Sequence, residues 1–189
     1  MGLLKKVVFL DRDGTINRDA ADYIKSRSEF EFIPGAVAAV SELTAGGFTC
    51  MVVTNQSALA RGFISNAELA AIHAIMCDQI AAAGGKIADI FSCPHLPEDN
   101  CSCRKPAPGL LLRAQQKYAV DLADAVMVGD SARDIECGRA AGCGRTVLVK
   151  SGRNEDVEGQ LLQRGLAADY VAADLLEAAR WIMADKARN

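Results

Sequence analysis

Asp11 and Asp13 stand two residues apart in Asp11-Arg12-Asp13-Gly14-Thr15, directly after the apolar run Val7-Val8-Phe9-Leu10. Such a pair can hold a hard cation such as Mg2+, or supply a nucleophile and an acid–base group. It is not an EF-hand loop, because its glycine comes fourth where that loop needs glycine sixth and a Glu twelfth. Taken alone, the pair equally fits the metal site of a nucleotide-sugar transferase or a solvated turn. Its companions decide. Thr54-Asn55-Gln56-Ser57 ends a second apolar run, and Lys105 lies in Arg104-Lys105-Pro106 ahead of a helical segment. Gly129-Asp130 ends a further run, with Asp134 one helical turn beyond. Two aspartates, a hydroxyl, a lysine and a third carboxylate suit phosphoryl transfer. Cations there neutralise the phosphoryl oxygens while an anionic nucleophile attacks in line.

A second constellation is Cys93-Pro94-His95 followed by Cys101-Ser102-Cys103. Three thiolates and an imidazole complete a tetrahedral Zn2+ shell and leave no position for water, so such a zinc is structural. The alternative, a loop of exposed free thiols, is a reactive liability. A zinc here would pin the loop ending at Arg104-Lys105. Seven cysteines are an odd number, unsuited to a closed disulfide framework. Cys50, Cys77, Cys137 and Cys143 read as small buried hydrophobes. His73, the other histidine, lies within a helical segment and reads as structural, so no histidine-based triad is available.

The elements that must position these groups alternate along the chain. Strands are predicted at Lys6–Leu10, Thr49–Thr54, Ile87–Cys93, Ala125–Gly129 and Thr146–Val149, with a weaker one at Tyr170–Val171. Helices are predicted at Pro34–Ala45, Ser65–Ala83, Pro108–Tyr118, Ser131–Ala141 and Asp174–Met183. Pro34 suits a first helical turn, Gly46-Gly47 a stop, and Ser65-Asn66-Ala67-Glu68 a capping box. Apolar strands alternating with helices imply an α/β fold, a three-layer Rossmann-like sandwich around a central parallel sheet. All strand C-termini then share one edge, where the polar strand ends converge. The 189 residues read as a single domain (1–189) carrying a zinc-binding loop at 93–103. The short connections leave little room for a lid, so the core is expected to be capless. Loops near Arg18–Arg27, Asn55–Arg61 and Pro94–Arg104 would bind the rest of a small substrate.

Composition narrows the class. A net charge of −3 and a pI near 5.4 give no basic footprint for nucleic acid or an anionic membrane, which counts against a polynucleotide phosphatase. No apolar stretch reaches the ~20 residues of a membrane span. The first apolar run is too short for a signal peptide, and Lys6 replaces the Ser or Thr of a myristoylation signal. A cytoplasmic monomer acting on a small molecule is expected.

The motif order resembles the haloacid dehalogenase-type phosphohydrolases. Within them, Asp-Arg-Asp-Gly-Thr-Ile-Asn, Val-Thr-Asn-Gln-Ser, Cys-Pro-His, Cys-x-Cys-Arg-Lys-Pro and Met-Val-Gly-Asp look like the D-glycero-D-manno-heptose 1,7-bisphosphate 7-phosphatase branch. Histidinol-phosphate phosphatases are near relatives. The resemblance runs from Lys5 to the last helix, with uninformative text near Ser151–Ala168. It implies that Asp11 is the nucleophile, ionised with an ordinary pKa of about 4, and that Asp13 is the acid–base. It implies Mg2+ on Asp11, the Asp13 carbonyl and Asp130, and phosphoryl oxygens held by Thr54 and Lys105. Asn55, Gln56, Ser57, Arg61 and Arg104 would bind substrate, and Cys93, His95, Cys101 and Cys103 would hold structural Zn2+. Asp134 would orient either Lys105 or a metal-bound water. The implied activity is Mg2+-dependent release of the C7 phosphate of a heptose bisphosphate through an aspartyl-phosphate, supplying ADP- or GDP-heptose for lipopolysaccharide or another heptose-bearing glycan. Histidinol phosphate is the alternative substrate. A catalytically silent, zinc-stabilised binding module is the reading from another class, and the joint presence of Asp11, Asp13, Thr54, Lys105 and Asp130 argues against it. One departure stands out: Ala58 occupies a position where the family has glycine, and a positive φ there would cost on the order of a kcal/mol.

Overall fold

Each apolar run becomes a strand: β1 Val7–Leu10, β2 Thr49–Asn55, β3 Ile87–Cys93, β4 Val126–Gly129, β5 Arg145–Val149 and β6 Tyr170–Ala172. They form one parallel six-stranded sheet in the order β3-β2-β1-β4-β5-β6. The computed structural model describes residues 2–154 and 156–186. Its helices are α1 Ala36–Ala45, α2 Asn66–Ala82, α3 Gly109–Tyr118, α4 Ala132–Ala141, α5 Val157–Gln163 and α6 Leu175–Lys186.

The strand order fixes where the chemistry lies. The chain builds outward from β1 through β2 to β3, then returns to β4 and builds the other way. The crevice beyond the C-terminal ends of β1 and β4 is therefore a topological switch point. Asp11 and Asp130 flank it, and the Asp11 amide still donates to Val128 O at 2.9 Å. The first carboxylate is thus tied to the neighbouring strand rather than carried on a free loop.

Both sheet faces are covered, as the apolar strands require. Val8, Leu10, Val52, Val126 and Val128 face α1 and α6, with Met76 and Ile80 of α2. Val7, Phe9, Met51, Val53 and Met127 face Leu110, Leu111 and Ala114 of α3 and Cys137 of α4. The split follows the two-residue side-chain alternation of a strand. All four β1 residues are fully buried, each contributing roughly 1.5–3 kcal/mol. The strand that presents Asp11 is thereby wholly enclosed, as is its neighbour β4.

The boundaries follow the sequence closely. Helix α1 begins at Ala36, two residues after Pro34. Helix α5 falls inside the stretch that carried no signal; it is seven residues long and buries only Val157 and Leu161, too little for a visible period. Ala58 has no positive φ, and its methyl is fully buried in a small cluster with Ile24, Ile64, Leu69 and Ile72. The expected strain is absent because the backbone at Ala58 does not enter the left-handed region. The capping box of α2 forms between Ser65 and Glu68. Cys50, Cys137 and Cys143 are buried and Cys77 is partly so. Between β1 and α1, Asn17 bridges to Phe32 and the Arg18 amide donates to Glu31 O at 2.8 Å, which closes 19–30 into a loop beside the strand ends. No described helix is long and apolar enough to cross a membrane.

Candidate active site

Lys105 organises the floor of the crevice. Its side chain is 2% exposed, and Nζ lies 2.8 Å from Asp11 Oδ1 and 2.6 Å from Asp134 Oδ1. Asp134, with a fully buried side chain, gives its other oxygen to the Ser131 amide and hydroxyl at the start of α4. Both oxygens of Asp134 therefore meet groups of the chain itself, one of them the Lys105 ammonium. On Asp11 the same oxygen that meets Lys105 also accepts from the Arg12 amide at 2.7 Å. Oδ2 has no donor among the described residues.

Asp130 differs from its neighbours. The residue is 8% exposed, yet no described group donates to its carboxyl. Two glycines make room for it: a Cβ on Gly14 would meet Asp130 Oδ2 at 2.4 Å, and one on Gly152 at 1.9 Å. A buried carboxylate without a donor calls for a cation. Asp11, Asp130 and Asp134 present oxygens within 4.8 Å of one another, so hard-cation donors are already gathered here. The electrostatics agree. Burial, opposed by Lys105 and reinforced by Asp134, pushes Asp11 up to about 7. Burial together with Asp11 and Asp134 pushes Asp130 up to about 8. This corrects the ordinary value of about 4 expected for Asp11. One lysine cannot offset three enclosed carboxylates.

Asp13 sits in the opposite environment. Burial pushes its carboxyl up, but the Arg12 charge and hydrogen bonds from Arg12, Asn17 and Gln56 more than offset this and hold it below the usual range. Oδ1 accepts from Arg12 Nη2 at 2.8 Å and Asn17 Nδ2 at 3.0 Å, and Oδ2 from Gln56 Nε2 at 2.8 Å. Gln56 Nε2 also reaches Thr54 Oγ1 at 2.9 Å, joining the second strand end to the first. Behind this clamp, Arg12 is 1% exposed and His73 Nε2 lies 3.3 Å from its Nη1. Burial and that guanidinium hold His73 down to about 4, so its ring is neutral and accepts. His73 has a structural role, as the support of Arg12.

The cleft above this floor has a volume of about 310 Å3 and collects Asp11, Asp13, Thr54, Asn55, Gln56, Ser57, Arg104, Lys105 and Asp130. Arg61, expected to bind substrate, is exposed and lies outside that lining, because the turn after Ser57 carries it away. Asp19 and Tyr23 of the Arg18–Arg27 loop line the cleft too, whereas sequence reasoning missed Arg12, Arg133 and Arg153, which also line it. Arg133 stands between the two acids of Gly129-Asp130-Ser131-Ala132-Arg133-Asp134. Arg153 follows the end of β5, the strand end whose polar residues were not read.

The thiol cluster lies beside this cleft. Cys93 Sγ is 3.5 Å from His95 Nδ1, 3.6 Å from Cys101 Sγ and 3.2 Å from Cys103 Sγ. His95 Nδ1 to Cys103 Sγ is 3.3 Å, and Cys101 Sγ to Cys103 Sγ is 3.5 Å. Nearly equal edges of this length are the spacing of four ligands round one tetrahedral zinc, whose Zn–S bonds are about 2.3 Å. The four donors and the absence of any disulfide among them fit that ion. The cluster is coupled to the floor at two points. Arg104 Nη1 donates to His95 O at 3.1 Å. Asn55 grips the Lys105 backbone in both directions, donating to its carbonyl and accepting from its amide, each at 3.1 Å.

Comparison with known proteins follows the same lines. A HAD-hydrolase-like family model matches residues 102–178. The D-glycero-β-D-manno-heptose-1,7-bisphosphate 7-phosphatase of Pseudomonas aeruginosa is 44% identical over 170 residues, covering 89% of this chain and 95% of that protein. The D-glycero-α-D-manno-heptose-1,7-bisphosphate 7-phosphatase of Photorhabdus laumondii is 34% identical, covering 85% and 92%. Among solved structures, the D,D-heptose 1,7-bisphosphate phosphatase from B. bronchiseptica, complexed with magnesium and phosphate, superposes with a TM-score of 0.87 at 40% identity. That match covers 95% of this chain and 99% of the other.

Proposed function

Because the chain belongs to the heptose 1,7-bisphosphate 7-phosphatase family of haloacid dehalogenase-like hydrolases, we propose that it removes the C7 phosphate of D-glycero-D-manno-heptose 1,7-bisphosphate. The observation that carries this reading is the floor itself: Lys105 between Asp11 and Asp134, with Asp130 enclosed beside them and lacking a donor.

Asp11 attacks the phosphorus through a carboxylate oxygen. An acyl-phosphate bond forms on Asp11 as the bond from phosphorus to the sugar oxygen breaks. Asp13 gives the leaving oxygen its proton. It then takes one from the water that cleaves the acyl phosphate, which releases inorganic phosphate and regenerates Asp11. The clamp on Asp13 favours its ionised form, the one needed in the second half. A phosphoryl group entering the cleft adds negative charge and raises the proton affinity of Asp13 for the first half. Lys105 and Thr54 hold the phosphoryl oxygens, and Asp134 keeps Lys105 aimed. Mg2+ would be held by Asp11, the Asp13 carbonyl and Asp130, where it supplies charge neutralisation for the nucleophile and the phosphoryl oxygens. Zn2+ on Cys93, His95, Cys101 and Cys103 would be structural, holding the loop that ends in Arg104 and Lys105. Asn55, Gln56, Ser57 and Arg104 face the rest of the substrate. The higher identity to the β-named relative favours the β anomer. The single domain works without a lid, so selection falls to loops and strand ends.

The deciding experiment is phosphate release from a panel containing both anomers of the heptose bisphosphate, other sugar bisphosphates and histidinol phosphate, with Mg2+ present. The heptose bisphosphate should have the highest kcat/KM, with phosphate lost from C7. Preference for histidinol phosphate would overturn the substrate assignment, and no turnover of any ester would overturn the reaction.

A further inference from the structure

The inner cations of the cleft are already paired. Arg12 pairs with Asp13, and Lys105 with Asp11 and Asp134. The rim is different. Arg133 and Arg153 line the same cleft, both are exposed, and among the described residues neither has an ion pair or hydrogen bond. The carboxyl that feels their charge is Asp19, on the loop after β1.

The backbones of both arginines are anchored to catalytic strands. Arg133 is the second residue of α4, whose first turn is tied by reciprocal bonds between Ser131 and Asp134. Arg153 follows Gly152, which lies against Asp130, and Ser151, whose hydroxyl donates to Gly14 O at 2.8 Å. The two therefore project from neighbouring strand ends, β4 and β5, over one wall of the cleft. Arg133 also lines an adjoining hollow of about 360 Å3 over the zinc loop, shared with Arg104 and Lys105.

We propose that Arg133 and Arg153 form an anion subsite for the phosphate that is not transferred, and so select a bisphosphate over a monophosphate. This rests on the phosphatase reading above and names the residues that give it a substrate preference. The transferred phosphoryl group already has Lys105 and Thr54 on the floor. A second phosphate, carried at the far end of a sugar, needs its own counter-charge outside the floor. Two guanidiniums match a phosphate dianion in charge, and each offers a planar fork of donors suited to phosphate oxygens. Arg104 is less free for this task, since one arm is held by His95 O. While the cleft is empty, Arg133 and Arg153 remain hydrated, so neither is a buried unpaired charge. The cleft wall lets a bound anion feel them more strongly than it would on an open surface.

The test uses the metal-loaded enzyme and the R133A/R153A double variant, assayed on heptose 1,7-bisphosphate and heptose 7-phosphate. The ratio of kcat/KM for bisphosphate over monophosphate should fall roughly ten- to a hundredfold in the variant. The loss should come mainly through KM for the bisphosphate. R133K/R153K should recover part of the ratio, because charge returns without the fork. Both positions are exposed, and a thermal melt confirms that the variants fold. An unchanged ratio, or equal losses on both substrates, would overturn the subsite. If the wild type fails on the heptose bisphosphate, the substrate reading fails by itself. The same ratio on fructose 1,6-bisphosphate and fructose 6-phosphate then decides the subsite.

Discussion

In the acidic cluster three carboxylates gather round one buried ammonium, with a flank open to a cleft of about 310 Å3. In the thiol cluster four donor atoms lie 3.2–3.6 Å from one another in the measured pairs and leave no side for a substrate. The acids are also mismatched in charge, and burial drives two of them towards protonation. The thiols and imidazole form a closed set for one soft-ligand cation. The difference teaches how one chain separates two donor sets suited to different cations. Reactivity is kept where the donor set is incomplete, and rigidity where it is complete. Asn55 and Arg104 connect the two, so the closed cluster can hold the open one in register.

The sharpest way to break this comparison is to remove the open cluster's nucleophile. Asp11→Asn keeps the shape and should keep the fold, yet turnover should fall by roughly 10^3-fold or more. Mass analysis of quenched wild-type enzyme should find phosphate on Asp11. Turnover close to wild type in an undeamidated Asn variant would move the chemistry elsewhere.

Damaging the closed cluster should do something different in kind. Cys101→Ser should weaken zinc retention and lower Tm by roughly 5–10 °C, the shift expected from losing about 2–3 kcal/mol in a chain of this length. Activity should fall indirectly, about tenfold, as Lys105 loses its support. Elemental analysis and a thermal melt read the first two effects. Wild-type protein free of zinc after growth in zinc-replete medium would remove the structural half of the comparison.

The smallest expected effect concerns protons. In zinc-loaded protein without magnesium, Asp11 and Asp130 hold protons in the folded chain that the unfolded chain, at its ordinary 3.8, has already released. Stability should therefore fall as pH rises towards 8. His73 works with the opposite sign below its ordinary 6.5, because the folded chain keeps it neutral. Between pH 6.5 and 8 the carboxylates consequently act without that opposition, and Tm should drop by roughly 2–5 °C. Magnesium should restore it, with a larger gain at pH 8 than at pH 6.5. A gain independent of pH would mean that these acids are already ionised without the metal.

Much of the architecture was legible because burial leaves a periodic trace. The β1 run is fully buried and reads as such, and the Ser65–Glu68 capping box announces α2. Helix α5 was not legible, since two buried residues define no period. The thiol cluster was legible as a ligand set because its members are close in the chain. Arg61 lies outside the cleft lining for a related reason: nearness to Ser57 in sequence says nothing of the direction taken after a turn.

The amino-acid order alone determined which groups could do chemistry and which strand end each would follow, because strands, caps and glycine breaks are set by local side-chain physics. It determined the kind of cation each cluster favours, since oxygen and sulfur donors differ in softness wherever they lie. Tertiary structure decided the rest. The 2.6 Å contact between Lys105 and Asp134 spans 29 residues, and the Gln56 bond to Asp13 spans 43. Such contacts exist only when strand order brings separate loops to one edge. The raised Asp11 and the lowered Asp13, two residues apart, share that origin. A carboxyl's proton affinity depends on which charges and donors surround it and how much water is excluded, and neither is a property of its neighbours in sequence.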